Sequence, residues 1–291
     1  MAGGTWEEAR MRVTGMPAPD TVTQRLVGLG VTRGDRPALV GGSAAWPGRT
    51  LSHASLAAVL QAAAAGLVRH GLRDQDIVGV CVPDAVSYVL AVHAIRAAGG
   101  VPSPLCGAGT ASEMASQLTD CAARLLITAD PLSGPALAAA DAAWVRQVIS
   151  FDEVPGTTSF CSLLCRGSRP PAVAGPADLA LAPYGPDGAR QEPVSHAELA
   201  ADLHRLAAVI PVGDCDVVLA APPDGSIRDY TVLLDLVLLQ GATVVASPAE
   251  GLPDAARAHG GTAAIVHPGT SLPAGLDLRL VTAACAVPQT P

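Results

Sequence analysis

The chain has 291 residues, of which 49% are hydrophobic and 15% charged, with a formal net charge of −8. That length suits one large domain or two sub-domains with ample core, and the hydrophobic fraction excludes an intrinsically disordered chain. Acidic and basic residues are interspersed on an acidic balance, which excludes the basic footprint of a nucleic-acid-binding protein.

All 18 basic residues are arginine, and neither lysine nor asparagine occurs. Any mechanism that needs a lysine is therefore closed to this chain acting alone. Seven cysteines, scattered and odd in number, do not outline a disulfide framework. Cys81, Cys215 and Cys285 sit in apolar runs and read as small core residues. Cys161 and Cys165 are four apart with no neighbouring ligand pair, so no metal is expected. The N-terminus lacks the basic-then-apolar pattern of a signal peptide. The most apolar stretch, Thr231 to Ala246, is broken by Asp235, Gln240 and Gly241, and reads as a buried helix then a strand rather than a membrane span. The expectation is a cytoplasmic protein that engages neither membrane nor nucleic acid.

Residues 1–21 read as a tail. A short helix over Val22 to Leu29 and a strand over Pro37 to Val40 come next. Ser52 caps a long helix, His53 to His70, whose apolar residues Leu56, Val59, Leu60, Ala63 and Leu67 recur at helical spacing. Ile77 to Val82 is a continuous apolar run, hence an interior strand. Asp84 caps a helix from Ala85 to Ala98, and Val101 to Leu105 is a strand. Ser112 caps a helix to Cys121. Arg124 to Thr128 and Val145 to Ser150 are strands on either side of a helix from Ser133 to Asp141. Residues 151–175, rich in Pro, Ser and Gly, read as a linker between a first sub-domain over 22–150 and a second over 176–291. In the second half, strands at Asp178–Ala182, Asp216–Ala221, Ala242–Ala246, Thr262–Val266 and Arg279–Thr282 alternate with helices at Ser195–Ile210, Arg228–Leu239 and Pro253–His259. Such alternation predicts an α/β fold with mostly parallel sheets flanked by helices.

The stretch that gathers the functional signals is Ala182 to His196, reading A-P-Y-G-P-D-G-A-R-Q-E-P-V-S-H. Strand, two-glycine turn and helix is how a phosphate-cradling loop is built, because bare amides and a helix N-terminus favour anions. Here Pro186 removes an amide donor, Asp187 and Glu192 bring negative charge, and Arg190 is the candidate cation. Ser195 and His196 offer a nucleophile and a base. Adjacent residues at a helix start point apart, however, and Ser195 with Glu198 forms a capping box, which is the reading favoured here. His53, His70, His93, His204 and His259 carry no ligand spacing and read as surface or packing residues. Asp224 and Asp229 around Arg228 offer an acid/base pair or, preferred here, caps for the next helix.

In outline this place resembles the phosphate loop of the AMP-dependent synthetase/ligase (adenylate-forming) superfamily, which includes acyl-CoA synthetases and nonribosomal peptide synthetase adenylation domains. The family loop runs roughly S-S-G-T-T-G-x-P-K-G, then a Thr/Ser-His pair. Gly185 and Gly188 match its glycines, and Ser195 and His196 match its closing pair. Its threonines fall on Pro186 and Asp187, its serines on Pro183 and Tyr184, its lysine on Gln191 and the next glycine on Glu192. Other family elements have counterparts in order. Thr50 to Leu56 resembles "T-Y-x-E-L", Gly71 to Val78 "G-L-x-x-G-D-x-V", Pro83-Asp84-Ala85 "P-N-S", and Ile95 to Leu105 "G-A-x-x-x-P-L". Leu278 to Pro288 resembles "L-R-x-x-x-x-G-G-A-P-L", after which the chain stops and the family's later motifs and lid domain do not follow.

The resemblance implies the N-terminal part of the adenylate-forming fold, with two stacked sheets and no C-terminal lid. It also implies an ancestral ATP-dependent activation of a carboxylic acid as an acyl-adenylate. It marks Gly185, Asp187, Gly188, Arg190, Gln191 and His196 as a nucleotide-loop remnant. Pro222, Asp224, Gly225, His267, Ala283 and Ala284 are candidates for an acyl-pocket remnant. The lost lysine, hydroxyls and amide lead to the expectation that no residue is catalytic. They also lead to the expectation that none of the family's cofactors (ATP, Mg²⁺, CoA or carrier phosphopantetheine) is used. A binding or scaffolding role follows, with a protein partner or second copy at the edge that the missing half would cover, or with an apolar acid. The alternative is half of a split acyl-CoA or acyl-carrier ligase.

Overall fold

A computed structural model describes residues 21–41, 50–105, 109–165, 167–185, 187–222, 226–266 and 278–281. The strands are β1 (Pro37–Val40), β2 (Thr50–Ser52), β3 (Ile77–Cys81), β4 (Val101–Pro104), β5 (Leu125–Thr128), β6 (Gln147–Ser150), β7 (Thr158–Ser159), β8 (Leu179–Leu181), β9 (Val194–Ser195), β10 (Val217–Ala220), β11 (Thr243–Ala246), β12 (Ala263–Ile265) and β13 (Arg279–Val281). The α-helices are α1 (Val22–Arg33), α2 (His53–Arg69), α3 (Ala85–Ala97), α4 (Ala111–Asp120), α5 (Ser133–Ala142), α6 (Phe160–Leu163), α7 (His196–Ala207), α8 (Ile227–Leu239) and α9 (Leu252–His259).

Among the described residues the strands form two large sheets and one small one. The first is parallel throughout, in the order β4-β3-β5-β6-β7. The second runs β13-β12-β10-β11-β1-β2 and is parallel except for the β1/β2 pair. β8 and β9 pair antiparallel by themselves. The α/β class and the stacked, mostly parallel sheets expected from the sequence are therefore observed. The sheets do not follow the division at 151–175. β1 joins the second sheet by pairing Leu39 with Val244 and Val40 with Val245.

Nor is 151–175 a plain linker. It carries β7, which extends the first sheet, and α6. Phe151 and Phe160 are buried and stack with their ring centroids 4.2 Å apart. Leu163 lies against Gly66 of α2 so closely that a Cβ there would meet Leu163 Cβ at 2.5 Å. Further on, the Ala172 amide donates to Ala97 O at 2.8 Å. Two aromatic rings and a leucine have enough apolar area to anchor a stretch whose Pro and Gly content suggested otherwise.

Several predicted caps are present. Ser52 accepts from the Ser55 amide, Asp84 from the Val86 and Ser87 amides, and Ser195 forms a capping box with Glu198. α4 begins two residues earlier than expected. Thr110, not Ser112, is its cap, in a capping box with Glu113. α8 is capped by Ser226, which accepts from the Asp229 amide. Asp224 lies outside the described residues.

The centre of the molecule is α3. Every residue of this helix is buried, and it packs against β3 and β4 of one sheet and β11 of the other. Burial on all sides obliges its polar residues to find partners. The Tyr88 hydroxyl meets the Thr231 hydroxyl of α8 at 2.5 Å. Arg96 donates through Nε to Ala180 O of β8 at 2.8 Å and through a terminal nitrogen to Asp235 Oδ2 of α8 at 2.8 Å. The other Asp235 oxygen faces His93 Nε2 at 3.0 Å, and His93 Nδ1 meets Thr23 Oγ1 of α1 at 2.9 Å. His93, read from the sequence as a surface or packing residue, is thus a buried link in this chain of contacts. Burial alone would raise the Asp235 carboxyl, but Arg96 and His93 outweigh it and hold the group below the usual carboxylate range. It is ionised in the core.

His196, at the start of α7, feels the same cluster. Burial, then repulsion from Arg96, pushes its imidazole down to about 4. Its Nδ1 is buried without a partner among the described residues.

Two outcomes follow. Removing one member of a buried pair strands the other charge and costs about 3–5 kcal/mol. Asp235→Ala should therefore destabilise the protein by about that much in urea unfolding. Arg257→Ala, which breaks the exposed pair with Asp254, should cost less than about 1 kcal/mol. Equal effects would mean that the core cluster is not ionised. For His196 the unfolded chain binds a proton at higher pH than the folded chain does. Its contribution is therefore complete above the ordinary histidine value near 6.5 and is lost as pH falls through about 4. Stability measured against pH should fall less steeply in that window for His196→Gln than for the parent chain. Parallel curves would contradict this assignment.

Candidate functional site at the glycine turn

β8 delivers the chain to the turn and β9 takes it back to α7. Between them Tyr184 and Arg190 form an antiparallel bridge. Inside it the Gly185 amide donates to Ala189 O at 2.8 Å and the Gly188 amide to Gly185 O at 2.9 Å. The Gln191 amide donates to Pro183 O at 3.1 Å, and the Ala189 amide to Asp187 Oδ1 at 3.1 Å. Gly188 has φ +76°, a conformation that glycine adopts without strain. A Cβ on Gly185 would sit 2.6 Å from Asp187 Oδ1 and 3.3 Å from Gln191 Nε2. The hollow beside Gly185 is therefore filled by the turn's own carboxylate and carboxamide.

The turn is held by α4. Tyr184 is buried, and its hydroxyl lies 2.8 Å from Asp120 Oδ2 and 2.9 Å from Gln117 O. Burial, then the Asp120 contact, pushes this phenol far up, so it stays a neutral donor. Arg190 lies 3.7 Å from Asp120 Oδ2, with both side chains about half exposed. Gln117 Nε2 donates to Gly188 O at 3.4 Å. Between turn and helix runs a cleft of about 540 Å³, bordered by Glu113, Gln117, Asp120, Tyr184, Asp187 and Arg190 among others. That volume is in the range of ligand pockets, about 300–1,000 Å³.

Gly185, Asp187, Gly188, Arg190 and Gln191 all lie on this turn. His196 is not among the residues that border the cleft; burial, then Arg96, governs its imidazole. Pro222 borders a second cavity of about 200 Å³ with Pro83, Asp84, Ala220, Ala246 and Ser247. This cavity lies at the carboxyl ends of β3, β10 and β11. Its volume is below the range of ligand pockets. Asp84 beside it has its carboxyl raised by burial, while its oxygens accept from Val86, Ser87 and the Ser87 hydroxyl. Asp224, Gly225, His267, Ala283 and Ala284 lie outside the described residues.

Sequence reasoning missed the α4 face. Glu113, Gln117 and Asp120 recur at i, i+4 and i+7, so they share one side of the helix. That spacing was visible, but nothing in it said that the turn would dock there. Sequence reasoning also missed Tyr184 as the anchor, which had been noted only as a replaced serine.

The turn does not fit a triphosphate. The amides of Gly185, Gly188, Ala189 and Gln191 are engaged inside the turn. A carboxylate occupies the hollow, and the chain has no lysine to supply a side-chain ammonium. A phosphate would meet like charge where it needs donors. Among the described residues no group of three His, Cys, Asp or Glu could hold a metal ion. No described helix is long and apolar enough to cross a membrane.

Comparison with solved structures gives the same architecture. A long-chain-fatty-acid-CoA ligase from Archaeoglobus fulgidus matches with a TM-score of 0.75 at 22% identity, over 86% of this chain and 53% of its own. MbtA of Mycobacterium smegmatis matches with a TM-score of 0.76 at 23% identity, over 91% and 51%. A benzoate CoA ligase from Burkholderia xenovorans matches with a TM-score of 0.73 at 20% identity, over 90% and 55%. The chain therefore spans about half the length of these structures. Comparison with curated proteins finds no match. The AMP-binding enzyme family matches residues 30–268. With most of its length inside that match, and with the fold of these ligases, the chain belongs to the AMP-binding enzyme family.

Proposed function

We propose that this chain is a ligase-fold protein that does not adenylate by itself and serves as a binding or scaffolding partner. The observation that carries the reading is the Asp187 carboxylate seated against Gly185 in a turn whose Gly185, Gly188, Ala189 and Gln191 amides are already engaged. In an active site, losing one preorganised donor costs about 10²–10³ in rate. Here the lysine, the hydroxyl residues and the amide of residue 186 are replaced together. Under this reading the chain uses neither ATP, Mg²⁺, CoA nor phosphopantetheine. Its partner is a protein or a second copy, with an apolar acid as a further candidate ligand. The exposure of Leu280 on β13, the last strand of its sheet among the described residues, supports a covered edge there. The free thiols of Cys121, Cys161, Cys165 and Cys215 support a reducing compartment, the cytoplasm.

A second reading has one observation in its favour, the span of about half of each ligase structure. On it, another polypeptide supplies the rest of an acyl-CoA or acyl-carrier ligase.

Acid-dependent ATP–pyrophosphate exchange separates activity from its absence. The purified chain with a panel of aliphatic and aromatic acids should give no exchange above a no-enzyme blank. Exchange that Arg190→Ala abolishes would overturn the reading.

A further inference from the structure

Cys161 and Cys165 are exposed thiols that share one short stretch of chain. Cys161 lies in α6, and Cys165 follows just past its end, with Leu164 between them still in the right-handed helical conformation. Residues four apart on a helical path lie on one side of it, one turn apart. The Cys165 sulfur shows that placement directly, for it donates to the Cys161 carbonyl oxygen at 3.4 Å. Other described cysteines stand differently. Cys81 and Cys121 are buried, and the exposed Cys215 meets Asp214 Oδ1 at 3.5 Å.

Neighbouring thiols can hold a metal ion or exchange with a disulfide. Tetrahedral zinc takes four ligands, and among the described residues no group of three His, Cys, Asp or Glu could hold a metal ion. A disulfide needs only the pair. Four residues of helix rise by about 6 Å, inside the Cα separation of about 4.4–6.8 Å that a disulfide spans. The β-carbons of helical neighbours at this spacing are about 5–6 Å apart, whereas a disulfide draws them to about 3.5–4.5 Å. Closure therefore requires the end of α6 to give, and a bond formed against such resistance is readily reduced. That end is lightly held, since α6 has four residues and the Cys165 amide donates to Ser162 O at 3.5 Å. The loop that would close encloses Leu163. This residue is buried against Gly66 of α2, and its carbonyl accepts from Arg69 at 2.9 Å. The redox state of the two thiols is thus tied to the leucine that fastens α6 to α2.

We propose that Cys161 and Cys165 are a reversible dithiol–disulfide pair that exchanges with a low-molecular-weight disulfide such as oxidised glutathione. One cysteine sulfur attacks the small disulfide, forming a mixed disulfide and releasing one small thiol. The second cysteine sulfur attacks the protein sulfur of that bond, forming the Cys161–Cys165 disulfide and releasing the other small thiol. Two electrons and two protons pass from the cysteines to the small thiols. In a reducing compartment such a bond is transient. The inference goes beyond the non-adenylating reading and does not rest on it, because thiol exchange neither uses nor reports a nucleotide.

The test equilibrates the full chain in glutathione buffers of rising oxidised fraction, blocks the remaining thiols by alkylation and weighs one tryptic fragment. That fragment runs from Gln147 to Arg166 and holds Cys161, Cys165 and no other cysteine. In oxidising buffer it should lose two hydrogens and both alkylation sites, and in reducing buffer without denaturant it should regain them. In Cys161→Ser or Cys165→Ser the remaining cysteine should carry glutathione instead, and Cys215→Ser should leave closure unchanged. A fragment that stays reduced, that carries glutathione on both cysteines, that is joined to another fragment, or that reopens only in urea would overturn the proposal.

Discussion

The fold turns on an ion pair placed where ion pairs are expensive. Arg96 and Asp235 meet at 2.8 Å with side chains 0% and 2% exposed, and through them four elements are tied together. α3 supplies Arg96 and His93, α8 supplies Asp235, α1 supplies Thr23, and β8 supplies the Ala180 carbonyl. An apolar replacement of similar shape could stabilise such a site as well or better, so the pair is not the source of stability as such. It fixes register instead. A helix buried on all sides has no solvent face to orient it, and directional contacts decide which residues point to which sheet. The same arginine reaches the functional region twice. It anchors β8, the strand that feeds the glycine turn, and its charge adds to burial in keeping His196 neutral at the start of the helix that follows.

The turn shows how a phosphate-loop outline can survive without fitting phosphate. An anion site needs amides that the loop does not use itself. In this loop the amides of Gly185, Gly188, Ala189 and Gln191 are used, and the carboxylate of Asp187 accepts one of them from a hollow that only a glycine leaves open. A phosphate-binding loop is commonly ordered by its ligand. This one is ordered by Tyr184, whose phenol reaches across to α4, and by Gln117, which returns a bond to Gly188. The docking that replaces the ligand also creates the acidic cleft.

Much of this was legible in the residues. Ser52, Asp84 and Ser195 announced helix starts through their hydroxyl or carboxylate followed by helical spacing, and Ile77 to Cys81 announced an interior strand by its unbroken apolar run. Thr110-x-x-Glu113 carried the same capping-box signal as Ser195-x-x-Glu198 and was passed over for Ser112. What was not legible depended on partners far away in the chain. No local pattern says that Pro37–Val40 lies beside Thr243–Ala246, about two hundred residues on. His93 and Arg96 look like surface residues of a helix until α8 is placed opposite them. The negative charge of Asp187 was visible as an obstacle to a triphosphate. Its role as an acceptor inside its own turn required the backbone path.

A turn whose hollow is filled by its own Asp187 carboxylate should need no nucleotide. Calorimetric titration of the purified chain with ATP and Mg²⁺, and separately with AMP, should give no saturable heat from either nucleotide up to millimolar concentration. Stoichiometric binding of ATP that weakens when Arg190 is changed to Ala would contradict it.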